Sequence, residues 1–355
     1  MTARAALRTI VGTAALAGWA APLVAQDATG RVSVEAVASV SLTSADAHPF
    51  VILDAVSTVR LADGWEAVVR PWARRMPAGD WAAEMYQMQI RYTSSTRVPF
   101  RVDAGIISSP IGLSTLELRP DRNPTIGAPF YYFVPLPPID GRFDGKRLIT
   151  GGYPLGAVVS ASGTTWDARA GVTDASPTNA ANVYEANRSN RAPQVIAGAG
   201  WVPHAGLRLG AAVGHGQYRP HSESAGGYVT PAGDATTTTI EGEYAIGYTR
   251  VQGEWIADRF TTALTPAMAY GMNIMATRTL TPRWFAAGRA VRASSPVLTG
   301  PNPGRRVATT AELSLGYRLT PAFTLRGGYQ GSNSLYNPAR THAAAVSVVW
   351  AQRWW

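Results

Sequence analysis

Residues 63–74 read Asp63-Gly64-Trp65-Glu66-Ala67-Val68-Val69-Arg70-Pro71-Trp72-Ala73-Arg74. Asp-Gly is a strong two-residue hairpin signal, because such a turn needs positive φ and few residues tolerate it. After the turn, residue character alternates with period two. Trp65, Ala67, Val69, Pro71 and Ala73 fall on one face, with Glu66, Arg70 and Arg74 on the other. That is a β-strand with one face in an apolar medium and one in water.

Outward from this stretch the same pattern recurs. In 165–173, Trp166, Ala168, Ala170 and Val172 oppose Asp167, Arg169 and Thr173. In 249–259, Val251, Trp255 and Ala257 oppose Arg250, Gln252, Glu254 and Asp258. In 306–319, Ala311, Leu313, Leu315 and Tyr317 oppose Glu312, Ser314 and Arg318. Helical spacing with caps is hard to find. Sixteen strands are expected: 32–43, 50–61, 65–75, 81–93, 98–108, 153–162, 165–173, 192–202, 207–218, 236–246, 249–259, 267–280, 283–293, 306–319, 323–331 and 341–353.

The connections take turns. Even-numbered strands run into tight turns such as Asp63-Gly64, Gly163-Thr164, Gly247-Tyr248 and Thr281-Pro282. Odd-numbered strands run into longer polar or Pro/Gly-rich loops, of which Ser109–Gly152 is the longest. An even number of antiparallel strands with short turns at one end and longer loops at the other is the layout of a transmembrane barrel. A water-soluble sandwich with its apolar face inside shares the alternation but has no reason to sort its loops by length. Aromatics separate the two. Trp65, Trp166, Trp201, Trp284 and Trp354, with Tyr92, Phe100, Tyr248, Tyr317 and Phe323, collect at the short-turn ends, as a membrane–water interface selects. The fold class expected is all-β, an antiparallel transmembrane barrel. Glu84, Arg278 and Arg292 fall on the apolar face near strand ends, where a long side chain reaches the interface or a bulge switches faces.

Composition agrees. The chain has 355 residues, 46% hydrophobic but only 15% charged, against about 25% in ordinary globular domains. Mean hydropathy is -0.04. The absence of cysteine excludes a disulfide scaffold, a thiol nucleophile, Cys-bearing zinc sites and lipoprotein anchoring. Net charge is +9, but Lys146 is the only lysine and the arginines are scattered singly, so nucleic acid is not the expected partner. Residues 1–25 carry Arg4 and Arg8, an apolar run Ile10–Ala21 and Pro22-Leu23-Val24-Ala25, which reads as a cleaved export signal. Its removal takes away two arginines and leaves 9 − 2 = +7 on residues 26–355.

This layout resembles the bacterial outer-membrane porins of the sixteen-stranded general-diffusion type. The resemblance covers the whole mature chain. It includes the longest loop, 109–152, between the fifth and sixth strands, and a last strand, His342–Trp355, ending on Trp354-Trp355. It implies a water-filled channel for passive diffusion of small hydrophilic solutes and ions, residence in the outer membrane and contact with its lipid. It also implies handling of the C-terminal strand by the barrel-insertion machinery, assembly as a homotrimer, and a third loop that folds into the lumen and narrows it. Two departures stand out. The family usually ends in Phe with alternate apolar residues counted back from the terminus, whereas here Arg353 breaks that register and the cleaner alternation is Val346, Val348, Trp350, Gln352, Trp354. The family's acidic Pro-Glu-Phe-Gly-Gly piece is absent from the loop.

The loop itself mixes charges, with Glu117, Asp121, Asp140 and Asp144 among Arg119, Arg122, Arg142, Lys146 and Arg147, and an apolar middle, Phe130–Pro138, suited to burial against a wall. Opposite it, Arg60, Arg70, Arg91 and Arg101 fall on the inward face of strands two to five. That cluster resembles the arginine wall that faces the third loop in general porins; each arginine also has a carboxylate such as Glu66 or Asp103 nearby to pair with. Weak anion preference follows from the basic balance. No catalytic, cofactor or metal constellation is found: His48, His204, His215, His221 and His342 have no ligand spacing. Gly198-Ala199-Gly200 lies inside a strand, where no dinucleotide loop forms. A non-conducting structural or adhesion barrel, and a transporter for hydrophobic compounds using Phe130–Phe133, are the alternatives.

Overall fold

The computed structural model describes residues 31–354 apart from 47, 76–80, 97, 113–118, 128–153, 174–192, 220–221, 224–228, 231–232, 262–265, 298–303 and 334–338. Residues 1–25, read from the sequence as an export signal, lie outside the described residues, as do Glu117, the apolar stretch 130–138, Asp140, Arg142, Asp144, Lys146, Arg147 and Trp355. The strands are β1 Val32–Thr43, β2 Phe50–Ala62, β3 Trp65–Arg75, β4 Trp81–Thr93, β5 Phe100–Ile106, β6 Leu155–Ser162, β7 Trp166–Thr173, β8 Gln194–His204 and β9 Leu207–Arg219. They continue as β10 Ser222–Glu223, β11 Val229–Thr230, β12 Gly233–Ile246, β13 Thr249–Phe260, β14 Ala267–Thr279, β15 Trp284–Val297, β16 Gly304–Arg318, β17 Phe323–Asn333 and β18 Thr341–Trp354.

Sixteen of these close one antiparallel barrel in which sequence neighbours are spatial neighbours, with β9 beside β12 and β18 returning to β1. Closure runs from Val34↔Trp354 to Thr43↔Ala345. The barrel strands match the sequence expectation one for one, with ends displaced by at most four residues. The small β10–β11 pair inside the β9–β12 connection was not expected. Short turns and longer loops alternate as read from the sequence. In the deciding turn, Gly64 has φ 76° and a Cβ there would stand 2.7 Å from the Thr93 carbonyl, so the position demands glycine.

Two irregularities shape the interior. A bulge between Arg70 and Pro71 on β3 sets Gln87 and then Met85 opposite, so Tyr86 is the extra residue on β4. The bulge shifts the register of β4, so that Glu84 pairs with Trp72 along the backbone. The Tyr86 ring stacks on Trp72 at 4.5 Å. The second irregularity is Gly105, with φ 127°. A Cβ there would lie 2.4 Å from the Met88 carbonyl. At this point β5 stops after seven residues, shorter than its neighbour β4 at thirteen, and Ile106 packs inward against Trp72 and Tyr86.

The inward wall is not uniformly polar. Ile196, Ala212, Ala235, Ile256, Phe260, Ala269, Val291, Ala293 and Ala308, from β8 to β16, form one buried apolar cluster with Ile111 of the long loop. Small alanines on neighbouring strands leave room for a loop to seat against them, and burial of the large members stabilises by about 1.5–3 kcal/mol each.

Candidate pore and its charged lining

After Ile106 the chain leaves the wall. Its described segments, 107–112 and 119–127, are held by side chains that the strand register turns inward. The Ile126 N–H donates to Glu312 Oε1 at 2.6 Å, and the Gly127 N–H to both Glu312 oxygens at 3.1 and 3.2 Å. Arg289 donates to the Gly127 carbonyl at 2.6 Å and to Asn123 Oδ1 at 2.7 Å. Arg326 reaches three loop carbonyls, those of Pro120, Asn123 and Thr125. Ser314 Oγ donates to the Pro124 carbonyl at 3.0 Å. On the other side Arg169 donates to the Pro110 carbonyl. These bonds satisfy the backbone groups that an irregular segment otherwise leaves orphaned.

Between the loop and the inward faces of β1–β7 and β18 lies a cavity of about 700 Å³. Its described lining holds seven arginines, Arg70, Arg91, Arg101, Arg119, Arg122, Arg169 and Arg353, and three carboxylates, Glu35, Glu66 and Asp103. The formal balance of the lining is 7 − 3 = +4, but Arg70, Arg119 and Arg169 also pair with Asp54, Asp121 and Glu241 just outside it, which brings the balance to 7 − 6 = +1. Below the 120–124 segment a second space of about 540 Å³ carries Arg122, Arg250, Arg318 and Arg326 against Asp121 alone.

Of the wall arginines picked out in the sequence, Arg70, Arg91 and Arg101 line this cavity and Arg60 does not; it sits exposed by the β2–β3 turn, in register with Glu66. Of the loop residues, Arg119, Asp121 and Arg122 are in place, with Arg119 gripping both Asp121 oxygens at 3.0 and 3.1 Å. Arg91 bonds Asp103 at 2.8 Å and lies 3.8 Å from Glu66, and Arg101 bonds Asp103 at 2.8 Å. Arg70 forms a buried pair with Asp54 at 2.6 Å. Pairing therefore exists, yet an excess of guanidinium remains.

Other charged residues of the inward face were not among the pore residues picked out in the sequence. Glu35 on β1 is surrounded by Arg119 at 3.0 Å, Arg353 at 3.6 Å and Arg122 at 4.0 Å. Arg353, which broke the terminal alternation, is inward because Val346, Val348, Trp350, Gln352 and Trp354 are the outward series; its register partner is Glu35. On β7–β12, Arg208 bridges Asp167 at 2.7 Å and Glu241 at 2.9 Å, and Arg169 reaches Glu241 at 3.1 Å. This network fits only because inward positions of β8 and β9 are glycine: a Cβ on Gly200 would stand 2.3 Å from Asp167 Oδ2, and one on Gly210 2.8 Å from Glu241 Oε1. The Gly198-Ala199-Gly200 run, read in the sequence only as forming no dinucleotide loop, supplies one of these two glycines.

The outward aromatics form rows at the short-turn ends. Trp166 pairs with Trp201, and Trp284 with Tyr317 at a ring distance of 4.7 Å. Trp65 contacts Tyr92 at 4.9 Å, Tyr92 contacts Phe100 at 5.9 Å, and Trp354 contacts Trp350 at 5.9 Å.

No family model matches the chain, and no curated protein matches it in sequence. Solved structures match its fold. An anion-selective porin from Comamonas acidovorans superimposes with TM-score 0.56 at 11% identity, over 90% of this chain and 99% of that one. OmpT, an outer-membrane protein of Vibrio cholerae in its trimer form, gives 0.54 at 8% identity, over 90% and 98%. A further porin gives 0.51 at 10% identity, over 90% and 99%. The chain thus has the sixteen-stranded porin-like barrel fold.

Proposed function

We propose that the protein is an outer-membrane porin: a water-filled channel for passive diffusion of small hydrophilic solutes, with a preference for anions. The observation that carries this reading is the arginine-rich lining of the cavity between the loop and the wall, which keeps a surplus of guanidinium after its ion pairs are counted, 7 − 6 = +1. A sixteen-stranded barrel is too wide for wall side chains to fill, so selectivity belongs to the narrowest ring and its charges. Here both sides of that ring are basic, since Arg119 and Arg122 on the loop face Arg70, Arg91 and Arg101 on the wall. An entering anion meets a small surplus of guanidinium, an unpaired charge contributing on the order of 1 kcal/mol at 4 Å in water. Each carboxylate is held by at least one arginine, which keeps the geometry fixed while the surplus sets the sign.

Outer-membrane residence is supported by the fold and by the aromatic rows. Trimerisation is supported by the outward face of β1, which is Val32, Val34, Ala36, Ala38, Val40 and Leu42, beside Ala344, Val346 and Val348 on β18. Small apolar residues there permit close approach of a second copy. The terminal strand, with Trp354 outward, is the segment the insertion machinery would engage.

Purified protein in planar bilayers tests the reading. Ohmic steps are expected, with a reversal potential in a KCl gradient of the sign set by chloride. Silence from an intact barrel would favour a plugged structural barrel, and a potassium-signed potential would overturn the anion preference.

A further inference from the structure

The three carboxylates that line the larger cavity keep different company. Glu66 stands 3.8 Å from Arg91, and Asp103 bonds Arg91 and Arg101, both at 2.8 Å. Those partners all belong to the wall. Glu35 instead joins the long loop to the wall. It accepts from Arg119 of the loop at 3.0 Å, with Arg122 of the loop at 4.0 Å and Arg353 of β18 at 3.6 Å. It is also the one charged residue of β1, whose other inward positions are Ser33, Val37, Ser39 and Ser41. On β2 its register partner is the apolar Val56.

Barrel closure and loop attachment both have other means. β1 and β18 pair continuously from Val34↔Trp354 to Thr43↔Ala345. Segment 119–127 is held by Glu312, Arg289, Arg326 and Ser314, and Arg119 keeps Asp121 at 3.0 and 3.1 Å. A partly exposed ion pair adds little stability of its own. What Glu35 supplies is charge. Arg122 and Arg353 are half-exposed and line the cavity. Among the described residues Arg122 forms no ion pair other than that with Glu35. Opposite unit charges about 4 Å apart act on a more distant ion only as a dipole, so the loop guanidinium is muted while the carboxylate stands beside it.

We propose that Glu35 is the specificity-determining residue of the channel, holding its anion preference low by muting the charge that Arg122 brings from the loop. The inference rests on the channel reading. Loss of Glu35 or of Glu66 changes the cavity's count equally, to 7 − 5 = +2, so the two are compared at the same formal charge. The chloride-to-potassium permeability ratio is taken from reversal potentials across planar bilayers at about 0.1 M KCl, where screening is weak at these distances. E35Q is expected to raise the ratio about two- to fivefold. E66Q should raise it by less, because Arg91 keeps Asp103. E35D, which retains the charge, should keep the parent ratio. R122Q reads the same contact from the loop and should lower the ratio, with E35Q/R122Q returning to the parent value. An unmoved ratio in E35Q, a rise in E66Q as large as that in E35Q, or a double variant that keeps the E35Q ratio would overturn the proposal. So would a gain in current noise in E35Q without a change in ratio, which would make Glu35 a mere fastener of the loop. Ohmic parent channels with any of these results sink this proposal alone, whereas a silent parent barrel sinks the channel reading beneath it.

Discussion

Asp54 and Arg70 illustrate how much a single side chain carries at this wall. Their side chains are 1% and 8% exposed and meet at 2.6 Å. Neutralising one strands the other: D54N is expected to destabilise by about 3–5 kcal/mol. The double variant D54L/R70M should recover most of that, since an apolar pair carries no uncompensated charge. Urea unfolding of the barrel in lipid vesicles reads both. By contrast, Arg250–Glu243 has the same 2.6 Å separation but is 52% and 34% exposed. E243Q should stay within about 1 kcal/mol of the parent. Arg70 was legible in the sequence as an inward mid-strand charge, because alternation fixes the face of each residue. Asp54 was not, because which carboxylate meets it depends on register across two strands. Glu35 and Glu241 escaped for the same reason.

At the scale of elements, the strands announced themselves and the loop did so only in part. Period-two alternation and turn chemistry marked every barrel strand, and the bulge at Arg70/Pro71 was legible only as a residue, Glu84, on the unexpected face. The β10–β11 pair was too short to leave a pattern. The length and apolar middle of the long loop hinted at burial, but its fastenings could not be read, since Arg289, Glu312 and Arg326 lie more than 160 residues further along the chain. Those fastenings define a prediction. E312A removes the acceptor for two loop N–H groups, and R326M strips three loop carbonyls of their donor. Either should free segment 119–127, raising single-channel conductance and current noise in planar bilayers. Unchanged conductance in the double variant would mean that the segment does not narrow the path.

For the whole molecule, fold class was legible because lipid and water impose opposite demands on alternate residues over the full length of the chain. Charge sign was legible as a net excess of arginine, while its concentration beside the loop needed the closed ring to bring β1, β18 and β7 to one cavity. The field of that cavity is screened over about 10 Å at 0.1 M salt and about 3 Å at 1 M. Anion preference is therefore expected to be clear at 0.1 M KCl and to shrink towards unity at 1 M, as reversal potentials would record. A preference independent of salt would point to size or specific binding instead.

The attachments of the segment that crosses the hollow have a consequence for assembly. It springs from the fifth stave, yet most of its clasps sit on β15, β16 and β17. Arg119 reaches Glu35 on β1 and Arg169 on β7 the Pro110 carbonyl, but a polypeptide threaded from its amino end keeps segment 123–127 unclasped until the final staves arrive. The aperture is thus completed last, and a truncated ring lacking those staves would hold the strap only through Glu35 and Arg169.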